Sequence, residues 1–402
     1  MLNIILFDSD ARDQLLPLTA TRPMGELRLG ILTLREKWER MLSGSVSYIT
    51  QEYLQEKYPI HIEEENLIIN GGLLPNARLC ERIKQLKLNE ALLFQGELVA
   101  ARLNEARFES LIEEEEISEL QGREIEAEIP IYHINHLWEF TRLNELALLD
   151  DFELLNKGRK SQKIAESNQI IGPPELIFLE TGVEMECCIL NTNGGPIYVG
   201  ANTVVMEGSS LRGPIAFGMD CIVKMGARIY GPSTFGPGCR LGGEITRSIF
   251  FANSNKAHDG YLGDSVVGEW CNLGADTNNS NLKNNYSEVK LWSYKTEGFE
   301  KTGHQFVGLI MGDHAKCAIN TMFNTGTVVG VAANVFGAGF PRNFIPDFSW
   351  GGNLTYRTHK FLEACETASL VMNRRNQHFT DLEKSIFFHI YDQTVKFRSW
   401  EK

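Results

Sequence analysis

The sequence predicts a chain of two folded parts and a tail: an α/β domain first, then a left-handed parallel β-helix, then C-terminal helices. Three observations carry this prediction. Short apolar runs alternate with amphipathic segments over the first hundred residues, glycines recur every 18 residues through the second half, and two amphipathic segments close the chain. A length of 402 residues suits two or three domains.

Residues 3–7, 46–50 and 67–69 read as strands and 33–41 as a helix. Strands alternating with helices favour an α/β sheet, so residues 1–155 are assigned to one such domain with its connecting helix. The four glutamates at 113–116, and the acidic stretch that runs on to Glu128, suit a solvated face or an insertion. Over 136–155 the residues Leu137, Phe140, Leu143, Leu146 and Ala147 keep helical spacing and predict a long helix leading onward. Residues 156–168 are polar and basic, as a linker would be.

The β-helix is assigned to residues 165–345. Gly182, Gly200, Gly218 and Gly236 hold the 18-residue interval, as do the pairs Gly208 and Gly226, Gly308 and Gly326, and Gly312 and Gly330. An aliphatic or aromatic residue often precedes the glycine, as at Val199, Phe217 and Phe235. Six-residue steps appear directly between Gly236 and Gly242 and between Gly268 and Gly274. Three six-residue faces would close a triangular coil, with one apolar side chain per face pointing inward and a glycine tolerated at the corner, where φ is positive. A single coil cannot bury its inner face, so coils must stack. Residues 361–371 and 381–395, within a tail assigned to 355–402, read as helices that cap or flank the open end.

Composition narrows the functional classes. Fifty-two acidic against 39 basic side chains give a formal charge of −13, which argues against nucleic acid as a partner. A phosphorylated small molecule needs only a local cation and stays admissible. The eight cysteines form no CxxC pair and are expected to be buried free thiols in a reducing compartment. The apolar start ends at Asp8, too short for a signal peptide, and no run approaches the ~20 residues of a membrane span. A cytoplasmic protein with no membrane partner is the expectation.

The glycine register fails from Arg247 to Tyr261 and again from Asp276 to Gly308. Long insertions in a compact repeat are usually binding or active-site elements. Here the chain carries His258, Tyr261, Gly263 and Asp264, followed by Asn272, Gly274, Ala275 and Asn281. This pattern, H-x-x-Y-x-G-D and then N-L-G-A, resembles the acetyltransferase half of the bifunctional N-acetylglucosamine-1-phosphate uridylyltransferase / glucosamine-1-phosphate acetyltransferase family. The resemblance implies His258 as general base, Tyr261, Asn272 and Asn281 around the sugar phosphate, and the backbone near Ala275 against the acyl group of acetyl-CoA. It also implies Arg228 as a phosphate ligand. The family's neighbouring lysine falls at Thr246, taken to lie one 18-residue coil after Arg228, so Arg247 or Lys256 is expected to supply that charge. No metal is assigned to this site.

These residue types suit the chemistry. An amino sugar is mostly ammonium at neutral pH, and only its free amine attacks a thioester. A histidine, with an ordinary pKa near ~6.5, can accept that proton. Fixed backbone donors can hold the developing oxyanion.

The first domain is similar to a sugar nucleotidyltransferase, but strongly diverged. Pro17-Leu18-Thr19 and Arg22-Pro23 echo that family, whereas the loop expected to cradle nucleotide phosphates reads Asp8-Ser9-Asp10-Ala11-Arg12-Asp13-Gln14, without a glycine. Met24 stands where a lysine is expected, and residues 67–69 lead into Asn70-Gly71-Gly72 rather than a metal-binding aspartate. Arg22 and Arg28 are the cations available to a nucleotide, and Mg2+ is implied only if this domain is active. The resemblance therefore implies a homotrimeric N-acetyltransferase acting on an amino-sugar phosphate. Two alternatives stand beside it: sugar-1-phosphate nucleotidyl transfer with UTP or dTTP as the main activity, and a non-catalytic trimeric sugar-nucleotide-binding or regulatory protein.

Overall fold

The computed structural model describes residues 2–108, 121–126, 128–353 and 355–401. The glutamates at 113–116 lie outside the described residues. Two compact units are present. The first comprises residues 1–15, 22–27 and 32–136, and the second comprises 16–21, 28–31 and 137–402.

The first unit is a mixed six-stranded sheet. Leu2–Phe7 lies at its heart, parallel to Gly44–Ile49 on one side and to Glu65–Asn70 on the other. Glu97–Asn104 then pairs antiparallel with Glu65–Asn70, and Glu90–Phe94 and Gln121–Glu124 complete the edge. Ile4 and Leu6 bury one side of the central strand against Trp38 and Leu42, while Ile5 faces Ile68 and Ala101 on the other. Leu34–Leu42 forms a helix because Thr33 caps it: the Glu36 amide donates to the Thr33 hydroxyl, and the Thr33 amide donates to the Glu36 carboxylate. All three strands and the helix expected of this region are present.

The second unit is a left-handed β-helix flanked by helices. Its first face is a nine-stranded parallel stack from Ile177–Leu179 to Phe344–Ile345, and its second runs from Glu184–Met185 to Ser349–Gly351. The third runs from Gln169–Ile171 to Tyr261–Gly263 and continues as Asn278–Asn279 paired with Met322–Phe323. Inside the prism, Val199, Phe217, Phe235, Phe250 and Val267 form one continuous column. Its rings pack with centroids 5.2 Å apart for Phe217–Phe235 and 5.4 Å for Phe235–Phe250. Phe235→Ala should cost about 3–5 kcal/mol, because both neighbours lose a fully buried contact and the stacked coils resist collapse. Denaturant unfolding of the purified variant checks this.

The glycines hold the register for two reasons rather than one. Gly208 takes φ +73°, as the corner argument requires. Gly200 does not adopt a left-handed conformation; a Cβ there would sit 2.5 Å from the Gly218 carbonyl carbon of the next coil. The left-handed corner falls two residues later, at Asn202, then at Asp220 and Gly238.

Three of the cysteines occupy a third kind of position. Thr203, Cys221, Cys239, Ser254 and Cys271 each aim a small donor at a corner carbonyl of the next coil, Cys221 Sγ to Gly236 at 3.2 Å and Ser254 Oγ to Gly268 at 2.7 Å among them. All eight cysteines are free thiols, and seven are buried. Cys187 is exposed, contrary to expectation, because it turns a corner with φ +53°.

The coil length changes where the glycine register fails. Ser233 and Ser248 are neighbours 15 residues apart, and Ser248 and Ser265 are 17 apart. Ser265 and Leu309 are neighbours 44 apart, which accommodates the long insertion. The insertion is tied down, since its hairpin of Lys290–Ser293 and Gly298–Lys301 stacks Trp292 on Phe344 at 4.2 Å, and Tyr294 Oη donates to Asp347 at 2.8 Å.

The helix Glu139–Asn156 belongs to this unit, so the long helix foreseen at 136–155 joins the β-helix rather than closing the first domain. Its Asn144 and Asp151 accept from the amides of Gly30 and Ile31. Of the two tail helices, Phe361–Asn373 and Asp381–Gln393, the second flanks the last coils through Phe348, which packs edge-on against Phe387 and Tyr391, and the first packs on the second through Phe361. Among the described residues, no helix is long and apolar enough to cross a membrane.

Candidate functional site

The shortened coils place Arg247, Asp264 and Asn281 at successive 17-residue steps, one above another. Arg247 Nε and a terminal nitrogen donate to the two Asp264 oxygens at 2.7 and 2.8 Å. Asn281 Nδ2 donates to Asp264 Oδ2 at 2.6 Å and to Tyr261 Oη at 2.9 Å. Asp264 is almost fully buried, whereas the Arg247 side chain is 40% exposed. The hydrogen bonds it donates to Asp264 hold the Arg247 charge more firmly, and burial raises the Tyr261 phenol above its ordinary value. Arg247 also lies over the Phe306 ring at 5.2 Å. Gly263 is required here: a Cβ would stand 2.8 Å from Asn281 Nδ2 and also collide with Tyr261 Oη. This cluster can present a cation, a phenol and an amide to one polar ligand.

Beside it, on the third face, Arg228, Glu244 and Tyr261 are consecutive neighbours, as are Tyr230, Thr246 and Gly263. Tyr230 Oη donates to Glu244 at 2.6 Å, and burial pushes the phenol up to about 12. The expected stacking of Thr246 one coil after Arg228 is not found. The coil is two residues short at this point, so Glu244 takes that place and Thr246 sits on Tyr230. Thr246 is buried, and its hydroxyl has no hydrogen-bond partner among the described residues.

His258 sits at the corner between Asn255–Lys256 of the second face and Tyr261–Gly263 of the third. It is exposed, and its imidazole makes no hydrogen bond among the described residues. Asp259, the next residue, pairs with Arg228 at 3.7 Å across exposed surface. Ala275 lies at the corresponding corner one coil on; its carbonyl accepts from Asn320, and its own N–H has no hydrogen-bond partner among the described residues.

Four of the expected residues lie elsewhere. Asn272 is on the second face, hydrogen-bonded to Asn255 at 3.3 Å, and so is not brought beside Asn281 within the chain. Lys256 points inward, in register with Leu241, and donates to the carbonyls of Gly242 and His258 at 3.1 and 2.8 Å. Burial lowers its ammonium to about 8. Arg28 is buried in the second unit, where it donates to the Ile31 carbonyl; Arg22 is buried in the first.

The lowered Lys256 value has a thermodynamic consequence. Between about 8 and the ordinary lysine value of 10.5 the unfolded chain holds more protons at this residue than the folded one. Its burial penalty is therefore full below that window and is relieved as pH rises through it. The stability of the wild type relative to Lys256→Met should accordingly rise with pH across that window, which urea titrations at several pH values measure.

In the first unit, the loop after the central strand is filled by its own side chains. Asp8 accepts from the Met24 amide at 2.7 Å and from the Thr50 hydroxyl at 2.6 Å, and pairs with Arg12 at 3.2 Å. Arg12 in turn donates to Tyr53 Oη at 2.7 Å. Burial raises the Asp8 carboxyl despite these partners. Asn70 Oδ1 accepts from the Gly72 amide at 3.0 Å, and no group of three or more His, Cys, Asp or Glu among the described residues could hold a metal ion. An amide at position 70 and a committed carboxylate at position 8 do not fit a nucleotide-bound Mg2+. The Pro17-Leu18-Thr19 segment is buried in the second unit, where Thr21 donates to Asp313 at 2.5 Å.

Sequence reasoning missed Asp264 as the anchor of the cluster and Glu244 as its neighbour. The signal available was the 17-residue spacing of Arg247, Asp264 and Asn281, hidden by an assumed step of 18.

Residues 4–160 match the family model described as "Sugar nucleotidyl transferase". The chain is 37% identical over 89 residues to the bifunctional protein GlmU of Methanocaldococcus jannaschii, covering 22% of this chain and 21% of that protein. It is 31% identical over 93 residues to a bifunctional sugar-1-phosphate nucleotidylyltransferase/acetyltransferase of Sulfurisphaera tokodaii, covering 23% of each. The matches thus span about a fifth of the length of these curated relatives. Among solved structures, the polySia specific acetyltransferase NeuO aligns over 48% of this chain and 87% of its own at 12% identity, with a TM-score of 0.23, too low to add to the fold read from the coils. The family match thus lies within the first 160 residues, and the similarity to the two relatives covers less than a quarter of this chain.

Proposed function

We propose that the β-helix unit is an N-acyltransferase, moving the acetyl group of acetyl-CoA onto the amine of an amino-sugar phosphate of the glucosamine-1-phosphate class. The observation that carries the reading is an exposed, uncommitted imidazole at His258, in a coil whose next strand begins at Tyr261, the phenol that joins the Arg247–Asp264–Asn281 stack. His258 takes a proton from the substrate ammonium. The free amine then attacks the thioester carbonyl, forming the C–N bond. The C–S bond breaks as the tetrahedral intermediate collapses, and the sulfur leaves with the proton returned by His258, which then takes the second proton from the newly bonded nitrogen and releases it to solvent, leaving the amide. The N–H of Ala275 suits the developing oxyanion. Arg247, and Arg228 once freed from Asp259, supply charge for the phosphate; Tyr261 and Asn281 orient the sugar. Asn272, on another face, would reach substrate from a neighbouring copy, in keeping with a homotrimer. Lys256, fully buried, is left out of the ligand set.

A second reading, sugar-1-phosphate nucleotidyl transfer by the first unit, is favoured by the family match over residues 4–160. Against it stands the loop at Asp8, whose space for phosphates is taken by Arg12 and Tyr53. One paired assay on the full chain tests both. Thiol release from acetyl-CoA with glucosamine-1-phosphate, and no pyrophosphate from UTP or dTTP with sugar-1-phosphates and Mg2+, is expected. Pyrophosphate release without thiol release would reverse the assignment. Tight nucleotide binding with neither reaction would point to a regulatory role.

A further inference from the structure

The inner column of the second face runs Met185, Val205, Val223, Leu241 and then Lys256, with Leu273 and Cys317 beyond. A lysine is an expensive occupant of a hydrocarbon prism, and burying an ammonium requires hydrogen-bond acceptors placed for it. The corner carbonyls explain why it is there. Elsewhere in the stack a hydroxyl serves them: Ser209 donates to Met206 and Lys224, Thr277 to Gly274, and Thr321 to Ala318. The corners at Gly242-Gly243 and Ala257-His258-Asp259-Gly260 contain no hydroxyl. Lys256 reaches them from within, and its Nζ bridges Gly242 O of one coil and His258 O of the next.

We infer that Lys256 is a positioning residue, whose ammonium clamps the backbone of the His258 corner and so fixes the imidazole for proton transfer. This rests on the acyl-transfer reading above. The clamp touches the carbonyl of the proposed base itself, not a remote part of the coil. It is also the sole side-chain donor to that carbonyl among the described residues. The charged groups acting on it are Asp259, Arg228 and Asp276 at the corners, with Cys317 below. Burial outweighs them and brings the ammonium to about 8, so the clamp changes charge within the accessible pH range.

Two measurements on the full-length protein test the inference. Lys256→Met fills the column with an apolar side chain of similar length. It should lower kcat on the order of ten- to a hundredfold with little change in KM for glucosamine-1-phosphate or acetyl-CoA, because the base is misplaced while the binding groups stay. A folded variant with wild-type kcat, or one whose loss lies in KM, overturns the proposal. In the wild type, the ring signals of His258, assigned by their loss in His258→Gln, should show an inflection at the pH where Lys256 loses its proton. Ring signals blind to that titration overturn the proposal even if the methionine variant fails to fold. The NMR measurement needs no turnover. Absence of acyl transfer in the wild type would therefore defeat the functional reading, while the coupling between Lys256 and His258 would still be decided.

Discussion

Replacing His258 by alanine should abolish most acyl transfer while leaving the protein as stable as the wild type. A positioned general base contributes about 10²- to 10⁴-fold, so thiol release from acetyl-CoA with glucosamine-1-phosphate should fall by that factor in kcat/KM. The fold should not notice. The side chain is exposed and makes no hydrogen bond among the described residues, and substitutions at such surface positions usually stay within about 0.5 kcal/mol. The two halves of the expectation constrain each other. Full thiol release by the variant removes His258 from the mechanism. A large drop in Tm would mean that the side chain holds the corner, a task the structure gives to Lys256.

How much of this was legible in the sequence depends on how local the cause was. The 18-residue register showed because it is enforced by backbone contact: a Cβ at Gly200 would strike Gly218, and no other residue type can substitute. The helix at Glu139–Asn156 showed because its buried residues keep helical spacing. What an assumed step of 18 concealed was a change of step. Once a coil shortens, to 16 residues from Arg228 to Glu244 and to 15 from Leu241 to Lys256, counting by 18 sets Thr246 beside Arg228. The real register sets Glu244 beside Arg228 and Lys256 beneath Leu241. Nor does the sequence show that Lys256 turns inward rather than toward a phosphate, because the acceptors that hold it are carbonyls, which leave no trace in a sequence. Equally hidden was the fate of residues 16–21. Their motif suggested a nucleotide site, but the partner that fixes Thr21 is Asp313, 292 positions away, and no periodicity connects them. The motif pattern around His258 survived these misalignments, because Tyr261 and Asp264 are placed by their own coil and not by the count from earlier ones.

Asp264 is where the largest combined loss of stability and activity should arise. Its carboxylate is buried, accepts two bonds from Arg247 and one from Asn281, and its backbone takes φ +50°, a conformation that aspartate and asparagine tolerate better than alanine. Asp264→Asn keeps the shape and the backbone preference but loses the charge and half of the acceptor capacity. About 1–3 kcal/mol of destabilisation is expected, discounted because Arg247 is partly solvated. Asp264→Ala loses every partner and adds left-handed strain of about 1–2 kcal/mol. The alanine variant should therefore be the less stable in urea unfolding, and the gap between the two isolates the backbone contribution. In turnover both should raise KM for the amino-sugar phosphate, since Arg247 is no longer aimed and Tyr261 loses the amide held against it. KM for acetyl-CoA should move little, because the Ala275 corner belongs to a different stretch of coil. Equal stability of the two variants would show that φ at this corner relaxes freely. An unchanged KM for the sugar phosphate in a folded Asp264→Asn protein would detach the Arg247–Asp264–Asn281 stack from substrate binding and leave it as a brace between shortened coils.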